Sequence, residues 1–126
     1  MKSIIFSVIV FITILSIAIS YQLHLTGITK EINAYAEEIT SSIASHNLNN
    51  AEKSLSALVK LWENNSALLM AFHDHTIINN ASTYVKLVEK SLNTQKYDEA
   101  SSYLIHFTSL INELAAENRP TFENIF

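Results

Sequence analysis

Apolar residues recur at steps of three and four along most of this chain, the spacing of helices with one buried face. Ile28, Ile32, Tyr35, Ile39 and Ile43 form the first stripe. The second is Leu55, Leu58, Trp62, Asn65, Leu69 and Phe72, with one polar member. A third begins at Ile77 or Ile78 and continues through Ala81, Val85, Val88 and Leu92. The fourth is Ala100, Tyr103/Leu104, Phe107, Leu110/Ile111 and Leu114. Turn-forming stretches at 46–50 and 93–98 separate the first stripe from the second and the third from the fourth. Asn49, three residues before Glu52, reads as the cap of the second helix, and Asp98 as the cap of the fourth. Pro120 prevents the last helix from continuing.

No glycine or proline divides the second stripe from the third, and phase decides whether one rod carries both. Ala81 lies nine residues beyond Phe72, which at about 100° per residue is roughly half a turn out of register. A single helix would therefore turn its apolar stripe from one side to the other. A break near 73–76 lets both stripes face one core. The expected fold is all-α: an antiparallel bundle of about four helices. A constant offset also aligns Tyr35, Ser42, Ala51, Leu55 and Leu61 with Tyr84, Ser91, Ala100, Leu104 and Leu110. That makes a stacked αα-hairpin repeat the variant architecture.

The amino terminus follows a different pattern. Ile4 to Ile19 carries only Ser7, Thr13 and Ser16 as polar residues, and such hydroxyls can bond back to their own helix. Extended to Leu25, the segment is about 22 residues, long enough to cross a bilayer core. Tyr21 and His24 would then lie at the far interface. We expect residues 1–25 to be a transmembrane anchor, 26–119 a helical bundle and 120–126 an apolar tail. A signal peptide cleaved after Ser20 is the alternative, with a secreted product. Either way Lys2 holds the start of the chain in the cytoplasm and the bulk lies outside it, single-pass in the anchored case. Antiparallel connectivity then places the Phe72–Thr76 corner and the tail near the membrane, and the loops at 46–50 and 94–98 at the far tip.

Composition narrows the chemistry. Eight Lys+Arg against twelve Asp+Glu, scattered without runs, argue against a nucleic-acid partner. One glycine, one proline and no cysteine leave no glycine-rich phosphate loop, disulfide framework or thiolate metal site. No nucleophile elbow or HExxH motif is present, so no enzyme activity and no cofactor are expected. The sharpest local feature is Phe72-His73-Asp74-His75-Thr76. His73 and His75 are two residues apart and could share a metal only from an extended or turn backbone. A third ligand would have to come from His24, Glu113 or Glu117, because His106 sits too far along the last helix. The structural reading is that Asp74 or Thr76 caps the third helix and that His75 packs or hydrogen-bonds at the bundle end. His73, at the carboxyl end of the second helix, would suit the local dipole when protonated. Trp62 lies on the apolar stripe and is expected in the core. In the tail, Phe122, Ile125 and Phe126 either fold back on the bundle end or meet the membrane or an integral-membrane partner.

Trp62, the segment Phe72-His73-Asp74-His75, and the ending Pro120-Thr121-Phe122-Glu123-Asn124-Ile125-Phe126 together resemble domain-of-unknown-function family 4363. This family consists of small membrane-anchored proteins of Gram-positive bacteria. The resemblance spans nearly the whole chain and implies an exported helical domain at the cell membrane, with the bilayer as a partner; it implies no activity. Some relatives carry a His-apolar-Pro step late in the last helix. Glu113-Leu114-Ala115 stands there in this chain, so no histidine role carries over to that place. From these residues we expect a non-enzymatic, membrane-anchored accessory or interaction protein outside the cytoplasm. The alternative is a small extracytoplasmic sensor binding a ligand or metal between its helices.

Overall fold

The computed structural model describes residues 1–117. Four helices follow in chain order: α1 Lys2–Ala44, α2 Leu48–Phe72, α3 His75–Asn93 and α4 Tyr97–Glu117. They pack as an up-down-up-down bundle in which each helix lies beside its neighbours in sequence and α4 closes back on α1. The tail residues Pro120, Phe122, Asn124, Ile125 and Phe126 lie outside the described residues.

The four stripes supply the core. Ile32, Ile39, Leu58, Ile78, Val88, Phe107 and Leu114 are fully buried along its length. Each such side chain contributes about 1.5–3 kcal/mol when removed from water, and they are part of a larger buried set that includes Leu25, Trp62, Leu69, Leu104 and Ile111. The chain does break at the Phe72–His75 corner, which places both flanking stripes on one core as phase requires.

One feature joins the two ends of the molecule. The first bundle helix and the amino-terminal apolar segment are a single helix, α1, of 43 residues. Its residues from Lys2 to Ser20 are exposed, and burial against the bundle starts at Tyr21 and continues through Leu25, Ile28 and Ile32. Within the exposed part, the Ser7, Thr13 and Ser16 hydroxyls each donate at 2.8 Å to the carbonyl one turn back. Between Ile4 and Ile19 these three hydroxyls are the only polar side chains, and each is satisfied within its own helix, which lowers the penalty of an apolar environment.

The repeat seen at an offset of 49 residues is structural. Ser42 and Ser91 are each buried to 4% exposure at the end of an odd-numbered helix. Asn47 N–H donates to the Ser42 carbonyl at 2.8 Å, and Lys96 N–H to the Ser91 carbonyl at 2.8 Å. A second pair runs from His46 N–H to Ile43 and from Gln95 N–H to Leu92. Both connections are Schellman closures. Each puts a non-glycine residue in the left-handed region, His46 at φ 60° and Gln95 at φ 61°. The chain is thus a tandem of two αα-hairpins, α1–α2 and α3–α4, with equivalent residues at equivalent places.

These closures also shift the expected caps. The turn delivers Asn47, not Asn49, as the cap of α2, and its side chain accepts from Asn50 N–H at 3.3 Å. Asn49 falls inside the first turn. Asp98 likewise lies within the first turn of α4 with Glu99, where both charges face the positive end of the helix dipole. Glycine at the left-handed positions should stabilise the protein. Relief of about 1–2 kcal/mol of left-handed strain outweighs the added chain entropy of about 0.5–1 kcal/mol. His46→Gly and Gln95→Gly should each raise the melting temperature by a few degrees, by similar amounts. A fall in either, read by circular dichroism in detergent, would show that the turns are not equivalent.

Candidate functional site

The corner at the end of the bundle nearest the exposed apolar part of α1 gathers most of the polar chemistry noted in the sequence. α2 ends at Phe72, and His73 takes an extended backbone (φ −130°, ψ 169°) while its N–H closes the helix on Leu69 O at 2.9 Å. Asp74 caps α3 by accepting from Thr76 N–H at 2.8 Å. Two non-helical residues therefore suffice to reverse the chain, with no glycine, because both keep negative φ.

Across the hairpin, α1 meets this corner with aromatic and hydrogen-bonding groups. The Tyr21 ring stacks on Phe72 at a centroid distance of 4.3 Å. Its hydroxyl hydrogen-bonds His73 Nε2. One turn away, His24 Nε2 lies 3.1 Å from Asn65 Oδ1. Asn65 Nδ2 is already donated to Leu61 O at 2.8 Å, so Oδ1 is free to accept and His24 carries its proton on Nε2. Asn65, the polar member of the second stripe, thereby ties α2 to α1.

His75 corrects the expectation made for it. It is the first residue of α3 and stands exposed, neither packed nor hydrogen-bonded to another side chain among the described residues. His73 faces Tyr21 and His75 does not join it. Among the described residues no three His, Asp or Glu side chains converge into a group able to hold a metal. His106 is well removed, stacked on Tyr84 at 5.1 Å on the α3–α4 hairpin.

Burial lowers the pKa of His73 below the usual histidine value, and the Glu117 carboxylate opposes that effect only partly. The unfolded chain therefore binds the proton more readily than the folded one, and stability rises with pH across this window. The contribution is complete above the ordinary histidine pKa near 6.5 and is lost as pH falls through the folded value. Thermal melts between pH 7.5 and 5 should show a decline that His73→Gln flattens. An unchanged slope in that variant would remove His73 from the corner's energetics.

Higher in the bundle, Trp62 is 2% exposed. Its ring packs edge-on against Phe107 at 5.3 Å, and Nε1–H donates to Ser82 Oγ at 2.9 Å. That bond crosses the α2–α3 seam. Asn33, the residue equivalent to Ser82 in the first hairpin, bonds Asn112 at 2.9 Å across the α1–α4 seam. The two seams carry shallow grooves at equivalent places with unlike surfaces. Glu52, Lys60, Glu63 and Glu89 line the α2–α3 groove. Ala36, Thr40, Ala44, Ile105 and Thr108 line the other, with Glu37 its only charge.

The Tyr21–His73, His24–Asn65 and Trp62–Ser82 pairs were not evident from spacing within any one helix. Their signal is antiparallel register: once the 45–47 turn is fixed, Tyr21 must fall opposite the end of α2. No curated protein and no solved structure matches the chain. A family model described as "Domain of unknown function (DUF4363)" does match, over residues 19–125. The match begins where the exposed apolar segment ends and takes in the Tyr21–His73 corner, Trp62 and both hairpins, so the chain belongs to the DUF4363 family.

Proposed function

We propose that this protein is a non-enzymatic module that stands on the outer side of the cell membrane, anchored by the first half of α1, and acts through contacts with lipid and neighbouring proteins. The observation that supports this reading most is the continuity of α1. A candidate membrane span that runs without interruption into a bundle core couples the bundle's orientation to the bilayer. A cleaved leader has no need of such coupling. The polar residues of greatest chemical interest also have structural employment: His73 with Tyr21, His24 with Asn65, Asp74 as a cap and Trp62 with Ser82. These assignments fit a scaffold better than a reaction centre.

The chain has no cysteine, so single-cysteine labelling tests the topology cleanly. Cysteine placed at exposed Ser56 should react with a membrane-impermeant maleimide on intact cells, and the labelled protein should remain in the membrane fraction at full mass. Labelling only after lysis would overturn the outer location. A labelled product starting at Tyr21 in the medium would overturn the anchor.

A further inference from the structure

Beyond the exposed apolar part of α1, the described residues show four exposed large apolar side chains: Leu23, Leu68, Phe72 and Ile105. Three of them lie at the span-proximal end of the bundle. Leu23 is 69% exposed and Phe72 52%, so neither is hidden by the helices around it. Phe72 is level with Tyr21, on whose ring it stacks, and Leu68 is one helical turn farther from the span.

Charge is distributed to match. From Ser3 to Thr29 there is no Asp, Glu, Lys or Arg, and from Asn64 to Val85 the only one is Asp74, which is engaged as the α3 cap. α1, α2 and the start of α3 therefore present uncharged surface around this end. Glu117, at the end of α4, is close enough to act on His73. The remaining charges of α2 and α3 lie toward the opposite end of the bundle.

Distances along α1 set the depth. A hydrocarbon core about 30 Å thick takes about 20 helical residues. A core entered at Ile4 is left at Leu23. Tyr21 and Phe72 then stand at the boundary of the hydrocarbon. The headgroup layer beyond it is about 5–8 Å thick on each side. Leu68, about 6 Å from Phe72 along α2, falls inside that layer. We infer that the span-proximal end of the bundle is seated in the lipid interface, with Leu23, Leu68 and Phe72 facing lipid and Tyr21 at the belt level where amphipathic rings concentrate. The occupant of this apolar patch is the bilayer itself. The membrane contact is thereby made by the α2–α3 corner as well as by α1, and the bundle is held at two points instead of swivelling on one.

This inference rests on the anchor proposed above, and nitroxide labels in the full-length chain separate the two. Single cysteines at Ile12, Leu23, Leu68, Phe72 and Ile105 are labelled in phosphatidylcholine vesicles. Accessibility to oxygen is then compared with accessibility to a water-soluble nickel chelate. The expected result is a high oxygen-to-nickel ratio at Ile12. Leu23, Leu68 and Phe72 should give intermediate ratios, several-fold above that at Ile105. Should Ile12 be lipid-immersed while Leu68 and Phe72 match Ile105, the bundle stands clear of the membrane and the inference fails with the anchor intact. Low access to both reagents at Leu68 and Phe72 would mean that protein covers the patch and would equally overturn it. Nickel access at Ile12 would remove anchor and inference together. Leu23, already turned away from the core, gives a reading even where the Phe72→Cys change loosens the corner.

Discussion

Replacing Trp62 by alanine should cost about 3–5 kcal/mol, a large part of the 5–15 kcal/mol that holds a domain of this size together. Three losses combine. The buried indole leaves a cavity between α2 and the two helices that follow. The edge-on contact with Phe107 at 5.3 Å disappears, worth about 0.5–1.5 kcal/mol beyond the buried area. Ser82 Oγ also loses its donor at 2.9 Å. Trp62→Phe separates these effects, because phenylalanine keeps a ring against Phe107 and forfeits the hydrogen bond together with part of the volume. Its cost should be about 1–2 kcal/mol. Urea unfolding of the full-length variants in detergent, followed by circular dichroism, gives both numbers. Trp62→Ala within about 1 kcal/mol of the parent would mean that α2 and α3 are not joined through this side chain.

The residues that define the bundle were legible because burial leaves a periodic trace. Every stripe from Ile28 to Leu114 supplies core residues, although Phe72, the last member of the second, is exposed, and the half-turn phase jump between Phe72 and Ala81 located the corner where no glycine or proline did. The caps were harder to read. Asn47 and Asn49 are chemically alike, and the choice between them depends on where the Ser42–Asn47 turn closes. His46 and Gln95 are inconspicuous as left-handed residues in sequence, since side chains rarely advertise positive φ. Only the backbone angles show that they occupy equivalent places, 49 residues apart. The corner pairs were the least legible. Tyr21 looked like an interface residue of the span and His73 like half of a metal site. Only the register between α1 and α2 brings them together. His75 shows the converse: its spacing from His73 was suggestive, but α3 begins at that residue and leaves it exposed.

Gly27 offers the clearest test of whether span and bundle form one rigid element, because two substitutions there should act in opposite directions. It is the chain's one glycine and sits inside α1 without positive φ. A methyl group added at its Cα meets nothing within 4 Å. Gly27→Ala should therefore stabilise the helix by about 0.5–1 kcal/mol through reduced backbone entropy alone. On a bundle of roughly a hundred residues, that shifts the melting temperature upward by about 4–8 °C per kcal/mol. Gly27→Pro removes the amide donor to the preceding turn and drives the ring against the Leu23 carbonyl, costing about 3 kcal/mol or more and kinking the helix. Leu25 and Ile28 on either side are buried in the bundle, so the kink must either pull them out or tilt the span. Melting in detergent should rank alanine above glycine above proline. A free hinge at this point would instead leave the proline variant as stable as the parent. Unlike a mere loss of stability, a tilted span should also lower the oxygen-to-nickel ratio of a Phe72 label in vesicles at temperatures where the bundle stays folded. The rigid reading requires both effects, since it makes the orientation of the corner on the membrane a property of α1.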